Sequence, residues 1–336
     1  MRAVGLQRYL PIEDPESLID VELPTPGLEP HDLLVRIEAI AVNPVDTKVR
    51  APKDGVEDPP KVLGWDASGI VEAIGDSVVH YKVGDAVFYA GDITRQGAYA
   101  ELQAVDERIV GRKPATLDFV DAAALPLTSI TAFEAFFDRL EIDVEGTNTG
   151  ETILIIGGAG GVGSIGIQLA RAAGLTVIAT ASREQTTRWV NELGADHVIN
   201  HHQPMRAQIE ALGLNYVDYI AVFNDTDSHW DTVCDLIKPQ GRIVSIVENT
   251  RPLNMSVLKM KSATFCWEFM YTRSMFQTPD MIRQQELLNY IAGEVDTGRL
   301  KTTRSQTLNG ITAANLREAH RRLEQGDTIG KITLSR

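Results

Sequence analysis

The sequence predicts an α/β protein in two parts, a β-rich first third followed by a doubly wound parallel sheet. Three observations lead there. Residues 151–173 (ETILIIGGAGGVGSIGIQLARAA) run from an apolar, β-branched segment through a glycine cluster into a helical pattern. From that point strand and helix patterns alternate, as they do where crossover helices cover a parallel sheet. Ahead of it, short strand patterns are punctuated by glycines, as in a barrel or sandwich-like domain.

The chain has 336 residues, which is long for one hydrophobic core and points to two domains. Apolar residues make up 43% and charged residues 23%, the balance of a folded protein. The net charge of -14 speaks against binding to nucleic acid or an anionic membrane through a basic stripe. No apolar run reaches the ~18 residues of a membrane span, and the N-terminus lacks the apolar core of a signal peptide. Cys234 and Cys266 are the only cysteines, too few for a disulfide framework or a structural zinc cluster. A cytoplasmic location is therefore expected.

In the first part, residues 32–42, 69–74, 85–90 and 99–105 read as strands, and residues 53–60 (KDGVEDPP) as a turn-rich loop. The segment LPLTSITAFEAFFDRL predicts a turn and then a helix with an aromatic and aliphatic face. A polar linker, 145–150, precedes the alternating part. There the strands are 152–156, 176–180, 197–200, 217–222 and 242–247. The helices are 161–173, 185–193, 205–212 and 229–237. The tail holds helices at 280–294 and 313–325 and a strand at 330–334, which is free to return to the first domain.

Gly158, Gly160 and Gly163 fit G-x-G-x-x-G with a strand before and a helix after. In that motif the first glycine allows the tight turn and the second lets backbone approach a pyrophosphate. The third lets helix and strand pack closely, and the phosphates rest on the helix N-terminus. Gly158, Gly160, Gly161, Val162 and Gly163 are thus the candidate dinucleotide-binding loop.

An ordered set of motifs extends this reading over nearly the whole chain. Asn43-Pro44-Val45-Asp46-Thr47-Lys48, Gly64-Trp65-Asp66-Ala67-Ser68-Gly69, Val83-Gly84-Asp85-Ala86-Val87, Leu125-Pro126-Leu127-Thr128, the glycine loop and Ile329-Gly330-Lys331 follow one another. The set resembles the medium-chain dehydrogenase/reductases, and within them the zinc-free quinone oxidoreductases and the zinc-type alcohol dehydrogenase-like proteins. The resemblance implies a GroES-like β-rich catalytic domain over residues 1–126, a Rossmann NADP-binding domain over 127–272, and a tail, 273–336, that completes the catalytic domain. It also implies a nicotinamide cofactor and, commonly in the family, a homodimer. The edge strand for pairing would come from about residues 263–267.

Zinc members of the family carry a cysteine where this chain has Asn43-Pro44-Val45-Asp46, and Gly-His-Glu where it has Gly64-Trp65-Asp66. They also carry a lobe of four close cysteines that is missing here. Catalytic zinc needs three protein ligands with an open position. The histidines lack a cysteine or carboxylate at ligand spacing, and the adjacent pair His201-His202 would point to opposite faces of a strand. No metal is expected.

An NAD site needs an acidic residue about 20 positions beyond the glycine loop. Ser182-Arg183 stands there instead, and a hydroxyl with a guanidinium suits a 2′-phosphate. Ser182 also fits a helix N-cap with Gln185, and Arg183 is equally compatible with a solvated surface residue. Glu184 would favour NADH if it reached the ribose, but helix geometry turns it outward. His201 occupies the place of a tyrosine that packs near the 2′-phosphate in the resembled quinone reductases. The cofactor-binding set expected on this plan also includes Phe223, Val247 and Lys331. The cofactor is expected to be NADPH.

Without zinc the site must reduce something already electrophilic, a quinone or the β-carbon of an enone. The developing anion then needs hydrogen-bond donors. By resemblance, Asn43 lies near the nicotinamide ribose or the substrate oxygen, and Thr128 touches the nicotinamide. Lys48 is a further donor candidate, though a solvated lysine is the plainer reading. Trp65, Phe269, Met270 and Tyr271 are candidates to line an apolar pocket, or to be core. Tyr89 and Tyr99 are hydroxyl donors without an evident place. The expected function is an NADPH-dependent, zinc-independent quinone or enone reductase acting on a small molecule. A 2-enoyl thioester reductase and a non-catalytic NADPH-binding redox sensor are the alternatives.

Overall fold

The computed structural model describes residues 1–336 as two units, one of residues 1–127 and 271–336 and the other of residues 128–270. The first unit opens with β1 (Arg2–Arg8), β2 (Ile19–Glu22), β3 (Asp32–Ala41), α1 (Pro44–Arg50), β4 (Val56–Val62), β5 (Asp66–Ile74), β6 (Ala86–Tyr89), β7 (Leu102–Asp106), β8 (Val110–Arg112) and α2 (Phe119–Ala123). The chain leaves it within α3 (Pro126–Phe133), which continues as a π-helical turn over Glu134–Arg139.

The second unit is a six-stranded, all-parallel sheet of β9 (Thr152–Ile156), β10 (Thr176–Thr180), β11 (His197–Ile199), β12 (Val217–Val222), β13 (Ile237–Ser245) and β14 (Thr264–Trp267). Its helices are α4 (Gly161–Ala172), α5 (Glu184–Glu192), α6 (Met205–Ala211) and α7 (Thr226–Leu236). The order β11-β10-β9-β12-β13-β14 reverses direction between β9 and β12, the point where doubly wound sheets bind ligands. Every residue of β9 is buried, as expected of a central parallel strand covered on both faces.

The tail returns to the first unit with α8 (Thr272–Phe276), α9 (Arg283–Asp296), β15 (Arg304–Asn309), α10 (Ala313–Glu324) and β16 (Lys331–Ser335). β16 pairs antiparallel with β3, Thr333 opposite Ala41, so the last strand of the chain lies beside one of the first. The seven-stranded sheet runs β15-β16-β3-β5-β6-β8, with β7 also on β3, and β2-β1-β4 form a smaller sheet.

Several elements differ from the sequence expectation. Residues 53–60 are not all loop, because β4 begins at Val56 and pairs with β1 through Gly5–Val62 and Leu6–Lys61, with an irregularity before Arg8–Val56. Its prolines are tolerated because it is an edge strand. α7 starts three residues earlier than expected, where the Asp225 carboxylate accepts from Ser228 N and caps the helix. β13 also starts early, at Ile237 opposite Val217. β1, β2 and β15 carry no pattern that announced them.

Candidate functional site

In the second unit the site is the turn between β9 and α4. Gly157, one position ahead of the motif, takes φ +87°, which an L side chain resists, so the sharp reversal falls there. Its N–H donates to Thr180 Oγ1 at 3.0 Å, fixing the turn to the end of β10. A Cβ on Gly163 would lie 2.2 Å from Gly157 O, so this glycine lets the helix close on the turn. A Cβ on Gly158 would press on Ala179 and Thr180 at 3.0 and 3.2 Å. Gly160, the N-cap of α4, is different: a Cβ there would meet only Gly157 O, at an ordinary contact distance of 3.5 Å. No side chain caps that helix. First-turn N–H groups without a side-chain cap fit a phosphate, and Gly160, Gly161, Val162 and Gly163 would hold it.

Arg183 is exposed, three residues past β10, and Ser182 is half-buried. The N-cap of α5 is Arg183 rather than Ser182. Thr186, not Gln185, closes the turn, its Oγ1 accepting from Arg183 N at 3.0 Å and donating to Arg183 O at 2.8 Å. The cap geometry thus leaves the Ser182 hydroxyl out of the helix start. Phe223 stacks on Phe136 at 5.9 Å and packs beside Gly166. The Val247 carbonyl accepts from Thr226 Oγ1 at 2.5 Å.

In the first unit a buried polar cluster surrounds the start of α1. Pro44 opens that helix, where a missing N–H costs nothing. Asn43 turns its side chain away from the helix: Nδ2 donates to Asp66 Oδ2 at 2.9 Å, and Oδ1 accepts from Lys331 Nζ. Lys331 Nζ also donates to Asp66 Oδ2 at 2.8 Å and to Val42 O at 3.0 Å. Asp66 Oδ1 accepts from Leu127 N at 2.8 Å. A second chain joins at Asp46, whose Oδ2 accepts from Asn43 N and from the Tyr99 hydroxyl, both at 2.8 Å. His320 Nε2 lies 3.0 Å from that hydroxyl.

Burial dominates the electrostatics of this cluster. It raises Asp46 to about 7 against the hydrogen bonds from Asn43 and Tyr99 and the nearby Lys331 charge. It raises Asp66 as well, although the ammonium of Lys331 opposes the shift. It pushes His320 down to about 3, so that imidazole is neutral at physiological pH. The Trp65 indole is fully buried, meets Tyr271 edge-on at 6.3 Å, and its Nε1 finds no hydrogen-bond partner.

The chain is similar to known proteins along its whole length. Residues 29–115 match the family model described as the alcohol dehydrogenase GroES-like domain, and residues 161–284 the one described as zinc-binding dehydrogenase. A zinc-type alcohol dehydrogenase-like protein of Staphylococcus aureus (strain Mu50 / ATCC 700699) is 43% identical over 336 residues, all of both chains. The chain belongs to the medium-chain dehydrogenase/reductase superfamily. A Rhizobium etli CFN 42 protein assigned to the zinc-dependent alcohol dehydrogenases has the same structure at TM-score 0.96 and 50% identity, covering 100% of this chain and 98% of its own. Escherichia coli quinone oxidoreductase, solved in complex with NADPH, superposes at TM-score 0.83 with 25% identity over the full length of both chains. The chain is an oxidoreductase of that superfamily with the GroES-like and Rossmann arrangement.

Within the family, the metal positions are the informative ones. By the resemblance, zinc members carry a cysteine within the segment 43–46 and a histidine within 64–66; here Asn43 is engaged in the buried cluster and Trp65 in the core. No group of three histidine, cysteine, aspartate or glutamate side chains is placed to hold a metal ion. Both cysteines are free thiols, and burial raises each to about 11.

The remaining expected site residues belong to both units. Thr128 is buried in α3, and Lys48 is exposed on α1. Trp65 and Met270 are buried, whereas Phe269 is 46% exposed. Lys331, expected at the cofactor, has its ammonium on Asp66, Asn43 and the Val42 carbonyl. Sequence reasoning missed Asp66, Asp46, Tyr99 and His320 as a connected set. The one local signal was Gly64, whose φ of +87° leaves room for the Tyr99 ring 2.1 Å from where a Cβ would stand.

Proposed function

We propose that this protein is an NADPH-dependent, zinc-independent reductase of quinones or α,β-unsaturated carbonyls. The observation that carries the reading is Asn43. By resemblance it lies in the segment where zinc members carry a cysteine, and its amide bonds to Asp66 and Lys331. A metal-free centre suits acceptors that are already electrophilic, because charge added by conjugate hydride delivery is delocalised. Alcohol oxidation instead forms an alkoxide that needs a Lewis acid or a cation beside it.

Bound NADPH would supply the hydride. The chain's own residues bind and orient it: the N-terminal turn of α4 for the pyrophosphate, and Ser182 with Arg183 for the 2′-phosphate. Asn43 and Thr128 are, by the family resemblance, the residues that would offer polar contacts to the substrate and the nicotinamide. Mouse quinone oxidoreductase (33% identical over 239 residues, 70% of this chain and 66% of its own) and tomato 2-methylene-furan-3-one reductase (37% over 245 residues, 70% and 59%) support this choice of acceptor.

The test is a panel of quinones, enones and simple alcohols, with nicotinamide absorbance followed. Oxidation of NADPH by a quinone or enone, with no reduction of NADP⁺ by ethanol-like alcohols, is expected. Robust alcohol oxidation by metal-free protein would overturn the reading.

A further inference from the structure

Three imidazoles gather in the second unit on the edge of the sheet that carries the glycine loop. His201 and His202 follow β11, and His229 sits in the first turns of α7, after β12. Both strands are parallel to β9, so these loops leave the same carboxyl edge as Gly158–Gly163 and Arg183. The end of β11 is bonded to the end of β10, Ala181 N donating to Ile199 O at 2.9 Å, which sets the His201 loop beside the Arg183 loop. The His201 and His202 rings are 4.3 Å apart, and His229 meets His201 edge-on at 6.4 Å. His201 Nδ1 is buried and has no hydrogen-bond partner.

The charges around the trio are few. His201 faces only His202 and His229, and burial with these two neighbours holds it below the ordinary histidine value. His229 is likewise held down by burial and His202, while Asp225 pulls the other way. Asp225 in turn faces Asp227 and is occupied by Ser228. Burial and crowding disfavour a proton on His201 and His229, unless an anion arrives among the rings. A phosphate dianion reverses the balance: it favours the protonated ring, which then donates two hydrogen bonds.

We propose that His201, His202 and His229 form a proton-linked subsite for the 2′-phosphate of NADPH, so that discrimination against NADH widens as the pH falls. This rests on the NADPH reading above. It assigns Arg183 the pH-independent part of the phosphate contact and the imidazoles the pH-dependent part.

The sign of proton exchange tests it. A phosphate monoester has its second ionisation near about 6. A site built from arginine alone, binding the dianion, would release protons below neutrality, and its preference for NADPH would shrink with falling pH. The imidazole subsite takes protons up instead. Titrations of the intact protein with NADPH and NADH, in buffers of different ionisation enthalpy between pH 6 and 8.5, read this directly.

Net proton uptake with NADPH and none with NADH is expected. The NADPH/NADH affinity ratio should rise by up to about tenfold per pH unit for one fully linked proton. His201→Asn and His229→Asn should each flatten that slope. NADPH preference that is flat with pH, or accompanied by proton release, overturns the imidazole subsite and leaves Arg183 as the determinant. Equal binding of the two cofactors overturns the NADPH reading, and this subsite with it. The uptake measurement needs no variant, so a misfolded substitution does not remove the test.

Discussion

Lys331 Nζ lies 2.8 Å from Asp66 Oδ2, with the two side chains 3% and 0% exposed, so the last strand of the chain is ion-paired to the start of β5 inside the protein. The pair is extended by Asn43, which bonds to both members. Breaking a buried pair by removing one partner typically costs about 3–5 kcal/mol, because the other charge is left uncompensated. Lys331→Met should therefore lower the urea midpoint sharply. Adding Asp66→Asn, which keeps the contacts to Leu127 N, should recover much of the loss. A single variant as stable as the parent would show that the pair is not holding the tail.

The glycine loop makes a contrasting pair of substitutions. Gly163→Ala puts a methyl 2.2 Å from Gly157 O and should destabilise the fold. Gly160→Ala meets nothing closer than 3.5 Å and should leave thermal stability nearly unchanged. Its methyl stands at the α4 N-terminus, so cofactor affinity should fall. Retained affinity in Gly160→Ala would place the pyrophosphate elsewhere.

These two sites differ in how well the sequence displays them. β9, β10 and β12 were legible to the residue, because each is a largely apolar, β-branched run paired on both sides within the sheet. The motif glycines were legible too, but the residue with the left-handed backbone is Gly157, outside the motif, where only the bond to Thr180 shows the need. The Asn43–Asp66–Lys331 cluster was not legible. Asn43 and Lys331 were expected at the site by resemblance, but members as many as 288 positions apart carry no local sign that they bond to one another. The strand β4 was hidden by two prolines that an edge position tolerates. The start of α7 was hidden by the polar run Asp225–Ser228, which caps a helix without showing an apolar period.

Arg183 is exposed at the N-cap of α5, three residues past the end of β10. A charge-assisted contact to a 2′-phosphate contributes roughly 1.5–3 kcal/mol, about 10- to 100-fold in affinity. Arg183→Ala should raise the NADPH dissociation constant by that factor and leave NADH nearly unchanged. An equal loss for both cofactors would mean that the substitution disturbs the loop and not the phosphate contact.

β14 pairs only with β13, so its other edge is unsatisfied, and Trp267 on it is 44% exposed. Met260, just ahead of the strand, is 92% exposed. An open apolar edge is a liability unless covered, and a second copy of the chain is the expected cover. Sedimentation at micromolar concentration should show a dimer, and Trp267→Lys should shift it towards monomer. A monomeric parent protein would remove this interface.

The last prediction concerns Glu268, which is buried with Glu134 while Arg139 Nε reaches its Oε2 at 2.8 Å. Burial, and then the neighbouring Glu134, raise Glu268 far above the ordinary carboxylate range; Arg139 opposes the shift without cancelling it. The folded protein thus holds a proton that the unfolded chain releases near about 4.3. Between that value and the raised one the native state binds more protons, so stability falls as pH rises. Glu268→Gln fixes the side chain in a neutral form that still hydrogen-bonds. It should match the parent near pH 5 and become progressively more stable at higher pH, by up to about 1.4 kcal/mol per pH unit. Chemical denaturation of both proteins from pH 5 to 9 reads the difference. A difference that does not change with pH would mean that Glu268 is already ionised across the range, with Arg139 outweighing both burial and Glu134.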